Sequence, residues 1–533
     1  MSQVHTPAFT PTGKTTLSRF RPAVCALIAL FVLAAPLAVC LPLNSDTALF
    51  DVQASEVLKG GLLYRDIVEP NLPGAVWLHL LIRSIVGWSS EAMQAVDLCL
   101  FAVTVWIMSR FLDRQRVLFG LLASLFYVSC NEWVHCQRDT WMLLPATAAV
   151  YLCLRRTLRP SWKLAVLEGV LWGIAFWIKP HVVVPALAVS SAGLFLAPCR
   201  RSAARQLLGV LGGGVVAGLP GITWLVMSGA WPYFLEMMLE WNPEYLAAGK
   251  ARQSLLRWQL MLARFFPWYF VHLATLPAVA LWRKRTIDAG RLNPKPILIT
   301  AFYGGWLIQS VGLQHAMDYI HAPAMVLGIL LLFRIAQSWP ANTRGEPRTA
   351  GLNPVFPIVC TICLLVVTTN PFFQLSRLSL WRQCMTDGST AEVRSHLAHG
   401  NFPDWQHLDR VRIWLQSQNI KDGDLTCFNV HSVHLFRELD VQPATRYWAV
   451  GILQDLFPGR AQSITSRIRD SQTRFFVTEE RESRYGREQI PVGFPWNHPV
   501  AFQSGTYRIH ELKPKSDSQV AGRAIQHDGR LQQ

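Results

Sequence analysis

Apolar runs long enough to cross a hydrocarbon layer recur along most of this 533-residue chain, and nothing else in it restricts the fold as strongly. A backbone in hydrocarbon must satisfy its own hydrogen bonds, so each run has to be a helix. About eleven are found, near residues 22–43, 92–110, 117–135, 140–154, 163–179, 181–198, 206–228, 265–282, 296–313, 320–336 and 354–370. With 51% hydrophobic and 16% charged residues, the chain has the composition of an α-helical polytopic membrane protein.

The formal charge of +16 does not point to nucleic acid, because the basic residues cluster at the ends of apolar runs. Arg110, Arg114 and Arg116 form one cluster, Arg155, Arg156, Arg159 and Lys163 another, and Arg200, Arg201 and Arg205 a third. Arg283, Lys284 and Arg285 follow, then Arg344 and Arg348. A cytoplasmic N-terminus puts all of them on the cytoplasmic side, and an odd number of spans leaves the C-terminus outside. The first run follows Lys14, Arg19 and Arg21 and is too long for the usual cleaved signal, so it reads as a retained anchor. Most of the 11 cysteines sit in apolar runs as small hydrophobes; Cys384 and Cys427 fall in the aqueous C-terminal part, where a disulfide between them is conceivable.

Between the first two runs lies SDTALFDVQASEVLKGGLLYRDIVEPNLPGAVWLHLL, residues 45–81, with five carboxylates that hydrocarbon would not tolerate. Asp46 to Leu58 reads as an amphipathic helix on the membrane surface, ended by Gly60-Gly61, with Asp51 and Glu56 on its solvated face. Pro73 to Gly87 reads as an interfacial or re-entrant helix, since counting it as a span would reverse every later basic cluster. A second external loop, Ser228 to Arg264, interleaves aromatic and acidic residues. Beyond residue 370 the chain is polar, and strand-like 425–430, 474–479 and 506–512 alternate with helical patterns, which predicts a small α/β domain. The tail after Lys513 has the composition of a disordered segment.

Asp46 leads the candidates for chemistry. It follows the first span at once and starts a helix, so a carboxylate at fixed depth could take a proton from an acceptor hydroxyl; Ser45 or Asp46 could equally be the helix N-cap. Arg65, Arg138 and Lys179 are cations at outside span boundaries, suited to a lipid phosphate or to anchoring at the interface. Asp66, Glu69 and Asn71 belong to the polar turn before the re-entrant helix, and His315, Tyr319 and His321 to QHAMDYIHAP between spans nine and ten. The i,i+6 spacing of the two histidines suits a polar cavity wall better than a metal site, and no metal is expected. HSVH at 431–434 reads as surface, and Gly212-Gly213-Gly214 as a helix-packing contact.

Taken in order, an acidic residue after the first span, a helix, Gly-Gly, Leu-Tyr-Arg-Asp, an Asn-x-Pro turn and an apolar helix resemble the first external loop of GT-C fold membrane glycosyltransferases. The resemblance is to the branch holding protein O-mannosyltransferases and lipid A aminoarabinose transferases (glycosyltransferase family 39-like). QRDTWMLLP (137–145), GIAFWIKP (173–180) and QHAMDYIHAP (314–323) are similar to its later landmarks, so the resemblance covers residues 20–370. It implies a sugar donor on a polyprenyl phosphate, an extracytoplasmic active site in the inner or plasma membrane, inversion at the anomeric carbon, and Asp46 as base. Many relatives have two adjacent acidic residues where this chain has Asp46-Thr47, and Lys-Pro-Pro where it has Asn71-Leu72-Pro73. The loop lysine being absent, phosphate binding would pass to Arg65, Arg138 or Lys179.

The expected organisation is a cytoplasmic tail (1–21), a transmembrane domain (22–370) with a catalytic first loop (44–91), an extracytoplasmic α/β domain (371–512) and a tail (513–533). The expected partners are membrane lipids, the lipid-linked donor and a glycan, lipid or protein acceptor; no cofactor is expected, since phosphate is a good leaving group that cations can stabilise. A lipid or sugar transporter is the main alternative, but it would carry ionisable residues at mid-membrane, often in repeated halves. A non-catalytic membrane scaffold is the other.

Overall fold

The computed structural model describes residues 21–251, 254–288, 293–314, 317–338, 355–400, 403–480 and 493–512. His315, Arg344, Arg348 and the two terminal tails beyond Arg21 and Leu512 therefore lie outside the described residues.

A helix lies on every apolar run: α1 (Arg21–Val39), α4 (Ser90–Ser109), α5 (Arg116–Ser129), α6 (Arg138–Leu158), α7 (Trp162–Ile178), α8 (Val183–Phe195), α9 (Arg200–Met227), α13 (Phe270–Asp288), α14 (Pro294–Ile308), α15 (Ala322–Ser338) and α16 (Val355–Thr369). Among the described residues, five apolar helical stretches are long enough to cross a membrane by themselves: Pro22–Val39, Ser90–Ser109, Arg200–Met227, Pro294–Leu313 and Asp318–Gln337. Large apolar side chains point outward from this bundle, among them Phe31 and Ile28 on α1, Val215 and Leu219 on α9, and Leu273 on α13. Such a belt is a liability in water and the right solvent match in lipid.

The helices pack where side chains shrink. Gly169 of α7 meets the backbone of Val210, and Gly213 of α9 meets that of Val166, so a methyl group at either place would strike main chain. Gly212 and Gly214 have nothing within 4 Å of a would-be Cβ, so only the middle glycine of the triplet has no room for a methyl group.

Between α1 and α4 the chain forms α2 (Ser45–Leu58) and α3 (Gly74–Val86), close to the expected bounds. Gly60 and Gly87 follow them in positive-φ conformations (95° and 79°) that stop a helix at small cost only for glycine. The second loop is also helical, with α10 (Trp231–Glu236), a π-helical turn at Met237–Trp241, α11 (Asn242–Ala251) and α12 (Leu255–Arg264). Helix α5 stops at Ser129, short of the expected 135, because the following turn turns its carbonyls onto Asn44: Asn44 Nδ2 donates to Glu132 O (3.2 Å) and His135 O (2.9 Å).

After α16 come α17 (Leu375–Leu378), α18 (Trp381–Thr386), α19 (Ala391–Leu397) and α20 (Trp405–Ser417), then β1 (Leu425–Cys427), α21 (Val433–Leu439), α22 (Val450–Leu456), α23 (Ala461–Arg469), β2 (Phe475–Glu479), β3 (Val500–Ser504) and β4 (Tyr507–Glu511). The sheet order is β1-β2-β4-β3, with β1 parallel to β2 and the other pairs antiparallel.

One finding alters the expected organisation. Ala48, Leu49, Phe50, Val52 and Ala54 of α2 share a single hydrophobic core with Phe436, Trp448, Leu453 and Phe475 of the C-terminal part. Helix α2 therefore does not present a solvated face; the C-terminal part covers it. Cys384 and Cys427 form no disulfide with each other, since Cys384 sits against the end of α1 while Cys427 donates to Ser432 O (3.4 Å) inside the C-terminal core.

Candidate active site

Asp46 owes its position to its neighbours. Asn44, not Ser45 or Asp46, is the N-cap of α2, accepting from Thr47 N at 2.9 Å, and Thr47 Oγ1 donates to Asn44 Oδ1 (3.1 Å) and Cys136 O (3.3 Å). Ser45 Oγ hydrogen-bonds His431 Nδ1 at 2.8 Å. Both flanking residues being held, the Asp46 carboxylate is free of capping and opens into a cavity of about 250 Å³. There it accepts from Gln137 Nε2 (3.4 Å), with Tyr319 lining the same cavity. Burial pushes its carboxyl above the usual aspartate range, against the pull of Arg138, Gln137, Lys179 and Tyr319.

Arg138 opens α6 on the facing wall, 9% exposed, with its guanidinium 5.8 Å from the Phe50 ring. Its Nη1 is buried and has no hydrogen-bond partner among the described residues. A buried guanidinium N–H left unpaired is costly, and an anionic oxygen in the cavity would satisfy it. Lys179, at the end of α7, also lines the cavity, but its Nζ is already bonded to both oxygens of buried Asp139 (2.9 and 2.7 Å).

Glu69 and Asn71 form another stretch of wall. Glu69 accepts from Gln53 Nε2 (2.8 Å), Asn71 N (2.7 Å) and Asn71 Nδ2 (2.6 Å), and burial raises its carboxyl despite Arg138 and these donors. The structure thus brings Asp46, Glu69, Asn71, Arg138, Lys179 and Tyr319 to one cavity. Arg65 and Asp66 are elsewhere: they pair with each other at the surface (2.8 and 2.7 Å), because Tyr64 at φ 74° turns the chain outward. Arg65 is therefore not available to a ligand in this cavity. His321 is buried against Trp258, ring centroids 5.6 Å apart, behind the cavity lining, and His315 lies outside the described residues.

Two expectations need correction. Asp51 is fully buried rather than solvated. Its Oδ1 accepts from His79 Nδ1 (2.8 Å) and Arg83 Nε (2.8 Å), and its Oδ2 from Arg83 Nη2 (2.5 Å) and Arg437 Nε (2.7 Å). Burial alone would raise this carboxyl, but the His79 and Arg83 hydrogen bonds hold it well below the usual range. The HSVH segment is also not surface. His434 is buried, and His431 reaches the cavity beside Ser45, its imidazole held neutral by burial at about 4.

Sequence reasoning missed a whole wall. His431, Trp448, Ile452 and Leu456 from the C-terminal part and Tyr245 from the second loop also line the cavity that holds Asp46. The aromatic spacing of WNPEYL was the one visible sign of the last of these. Nothing local marks the others, because they reach the site through contacts nearly 400 residues long. The cavity consequently sets a carboxylate and a partly unsatisfied cation beside an apolar lining, a pattern suited to a hydroxyl nucleophile meeting an amphipathic anion.

No protein-family model and no curated protein matches the chain. Solved structures do. ArnT from Cupriavidus metallidurans, bound to undecaprenyl phosphate, is similar over 93% of this chain and 98% of its own, with a TM-score of 0.54 at 13% identity. The Archaeoglobus fulgidus oligosaccharyltransferase, tethered to an acceptor peptide, gives a TM-score of 0.44 at 10% identity over 87% of this chain and 70% of its own. The oligosaccharyltransferase AglB from Archaeoglobus fulgidus, in complex with an inhibitory peptide and a dolichol-phosphate, gives 0.45 at 11% over the same shares.

Proposed function

From the premise that this integral membrane protein has the GT-C fold, we propose that it is an inverting glycosyltransferase using a sugar linked to a polyprenyl phosphate. The observation that carries the reading is the convergence of Asp46 and Arg138 on one cavity, the guanidinium having a buried N–H without a partner.

Asp46 acts as general base. It removes the proton from an acceptor hydroxyl as that oxygen attacks the anomeric carbon. The bond from that carbon to the phosphate oxygen breaks on the opposite side, so configuration inverts. The departing phosphate gains charge, which Arg138 stabilises by direct hydrogen bonding and Lys179 from its pair with Asp139. Phosphate leaves without needing a proton, so the reaction calls for neither a general acid nor a cofactor. The apolar lining of Leu49, Phe50, Ile452 and Leu456 suits the first isoprene units of the carrier.

The site lies on the extracytoplasmic face of the inner or plasma membrane, consistent with the basic clusters at the opposite helix ends. The acceptor is a hydroxyl-bearing glycan, lipid or protein. The test is to give purified protein polyprenyl-phosphate-linked sugars with a membrane-lipid, glycan or protein acceptor extract, and to measure released polyprenyl phosphate. Release that depends on both protein and acceptor supports the reading; no release with any donor and acceptor class refutes it.

A further inference from the structure

Two thiols 344 residues apart meet where the first span gives way to the loop that carries Asp46. Cys40 Sγ donates to the Cys384 carbonyl oxygen at 3.5 Å, which sets its sulfur against the residue that carries the second thiol. Both side chains are buried. The contact is built, not incidental: Ser389 Oγ donates to Cys40 O (3.0 Å), Trp381 Nε1 donates to Val32 O (3.0 Å), and Ser389 N donates to Glu91 Oε1 (2.8 Å). Cys40, Leu41, Leu380 and Cys384 belong to one small core that joins the end of α1 to α18.

We propose that Cys40 and Cys384 form a disulfide that ties the end of the first span to the C-terminal part. Bond formation asks the two sulfurs to close to about 2.04 Å, and Cys40 Sγ is already at the main chain of Cys384 inside one shared core. The inference rests on the reading that this end of α1 faces an oxidising, extracytoplasmic compartment, where such bonds persist. Its oxidant is the disulfide of a thiol-oxidising protein of that compartment. One thiolate attacks that disulfide to give a mixed disulfide, and the second thiolate displaces it. The S–S bond forms between Cys40 and Cys384, while the two electrons and two protons end on the oxidant as a dithiol.

The consequence is positional. Cys40 precedes Asn44, the cap that sets Asp46, by four residues. A covalent tie there holds the start of α2 against the C-terminal part from one end, as the Asp51 and Arg437 ion pair does from within.

The test is thiol mapping of the full chain. Membranes are collected into N-ethylmaleimide, the protein is digested without reductant, and peptides are identified by mass spectrometry. A linked peptide containing Cys40 and Cys384 is expected. It should vanish with dithiothreitol and in Cys40→Ser or Cys384→Ser, and persist in Cys427→Ser. N-ethylmaleimide on both Cys40 and Cys384, or a link from Cys384 to Cys427, would overturn the inference. A compartment reporter on the C-terminus of the same protein separates the causes. Alkylated thiols with an outside reporter refute the disulfide alone, whereas a reporter active in the cytoplasm refutes the compartment and the disulfide with it. Mapping the wild-type chain needs no variant to fold.

Discussion

Replacing Asp51 by Asn should be among the most damaging isosteric changes in the loop that carries the site. The carboxylate is completely buried and accepts four hydrogen bonds, two on each oxygen, from His79, Arg83 and Arg437. An amide supplies one acceptor oxygen and one nitrogen that can only donate. If the nitrogen replaces Oδ2, two arginine donors lose their acceptor. If it replaces Oδ1, Arg83 Nε loses its acceptor and His79 must change tautomer. At least one charge-assisted bond, worth about 1.5–3 kcal/mol, goes in either orientation. The negative charge between two buried guanidinium groups goes as well, and breaking such a buried pair costs about 3–5 kcal/mol. The Asp66–Arg65 pair is the control, since both members are partly exposed and such pairs contribute about 0–1 kcal/mol. Chemical unfolding in detergent, followed by tryptophan fluorescence, measures both variants. The expected order is Asp51→Asn far below Asp66→Asn, which should sit near the wild type. Arg437→Gln should reproduce much of the loss and add little to Asp51→Asn. Equal stability of the two Asn variants would refute the picture of α2 locked beneath the C-terminal part.

Other outcomes follow from the same geometry. Because burial raises the Asp46 carboxyl, and a base works only when ionised, transfer should fall on acidification at a pH above the ordinary aspartate value of about 4; a pH–rate profile flat down to that value would contradict this. Asp51 has the opposite sign: its lowered carboxyl adds stability that is full above about pH 4 and is lost as pH falls further, which acid unfolding of wild type against Asp51→Asn can measure. Arg138→Gln should raise the donor KM roughly ten- to hundredfold, as loss of one charge-assisted bond predicts, while Arg65→Gln leaves it unchanged. Gly213→Ala should cost about 1–3 kcal/mol by driving a methyl into the α7 backbone, and Gly212→Ala should be nearly neutral, a difference that thermal unfolding of the pair would resolve.

How far the sequence carries depends on how local the determinant is. The helices on the apolar runs, Asp46 at the start of a helix just past the first run, and helix stops at Gly60 and Gly87 follow from periodicity and backbone preference within a few residues. The Gly212–Gly214 triplet was legible as packing, but not which of its three glycines lacks room for a side chain. Asp51 was misplaced for a physical reason. A carboxylate in a mixed helical pattern reads as solvated unless something covers it, and what covers it is Arg437 and the C-terminal core. His431 failed in the same way, since its partner Ser45 is 386 positions distant. Arg65 was indistinguishable from Arg138 by position at a boundary; the turn at Tyr64 and the neighbouring Asp66 point it away.

The most direct test of the account is the rate of sugar transfer by Asp46→Asn, in protein whose unfolding matches the wild type. The amide keeps the size of the side chain and its place beside Gln137 but cannot take a proton. General-base catalysis contributes about 10²–10⁴-fold, so the variant should release polyprenyl phosphate at no more than about a hundredth of the wild-type rate, with donor KM little changed. Transfer at the wild-type rate by a folded Asp46→Asn protein would contradict the mechanism at its centre.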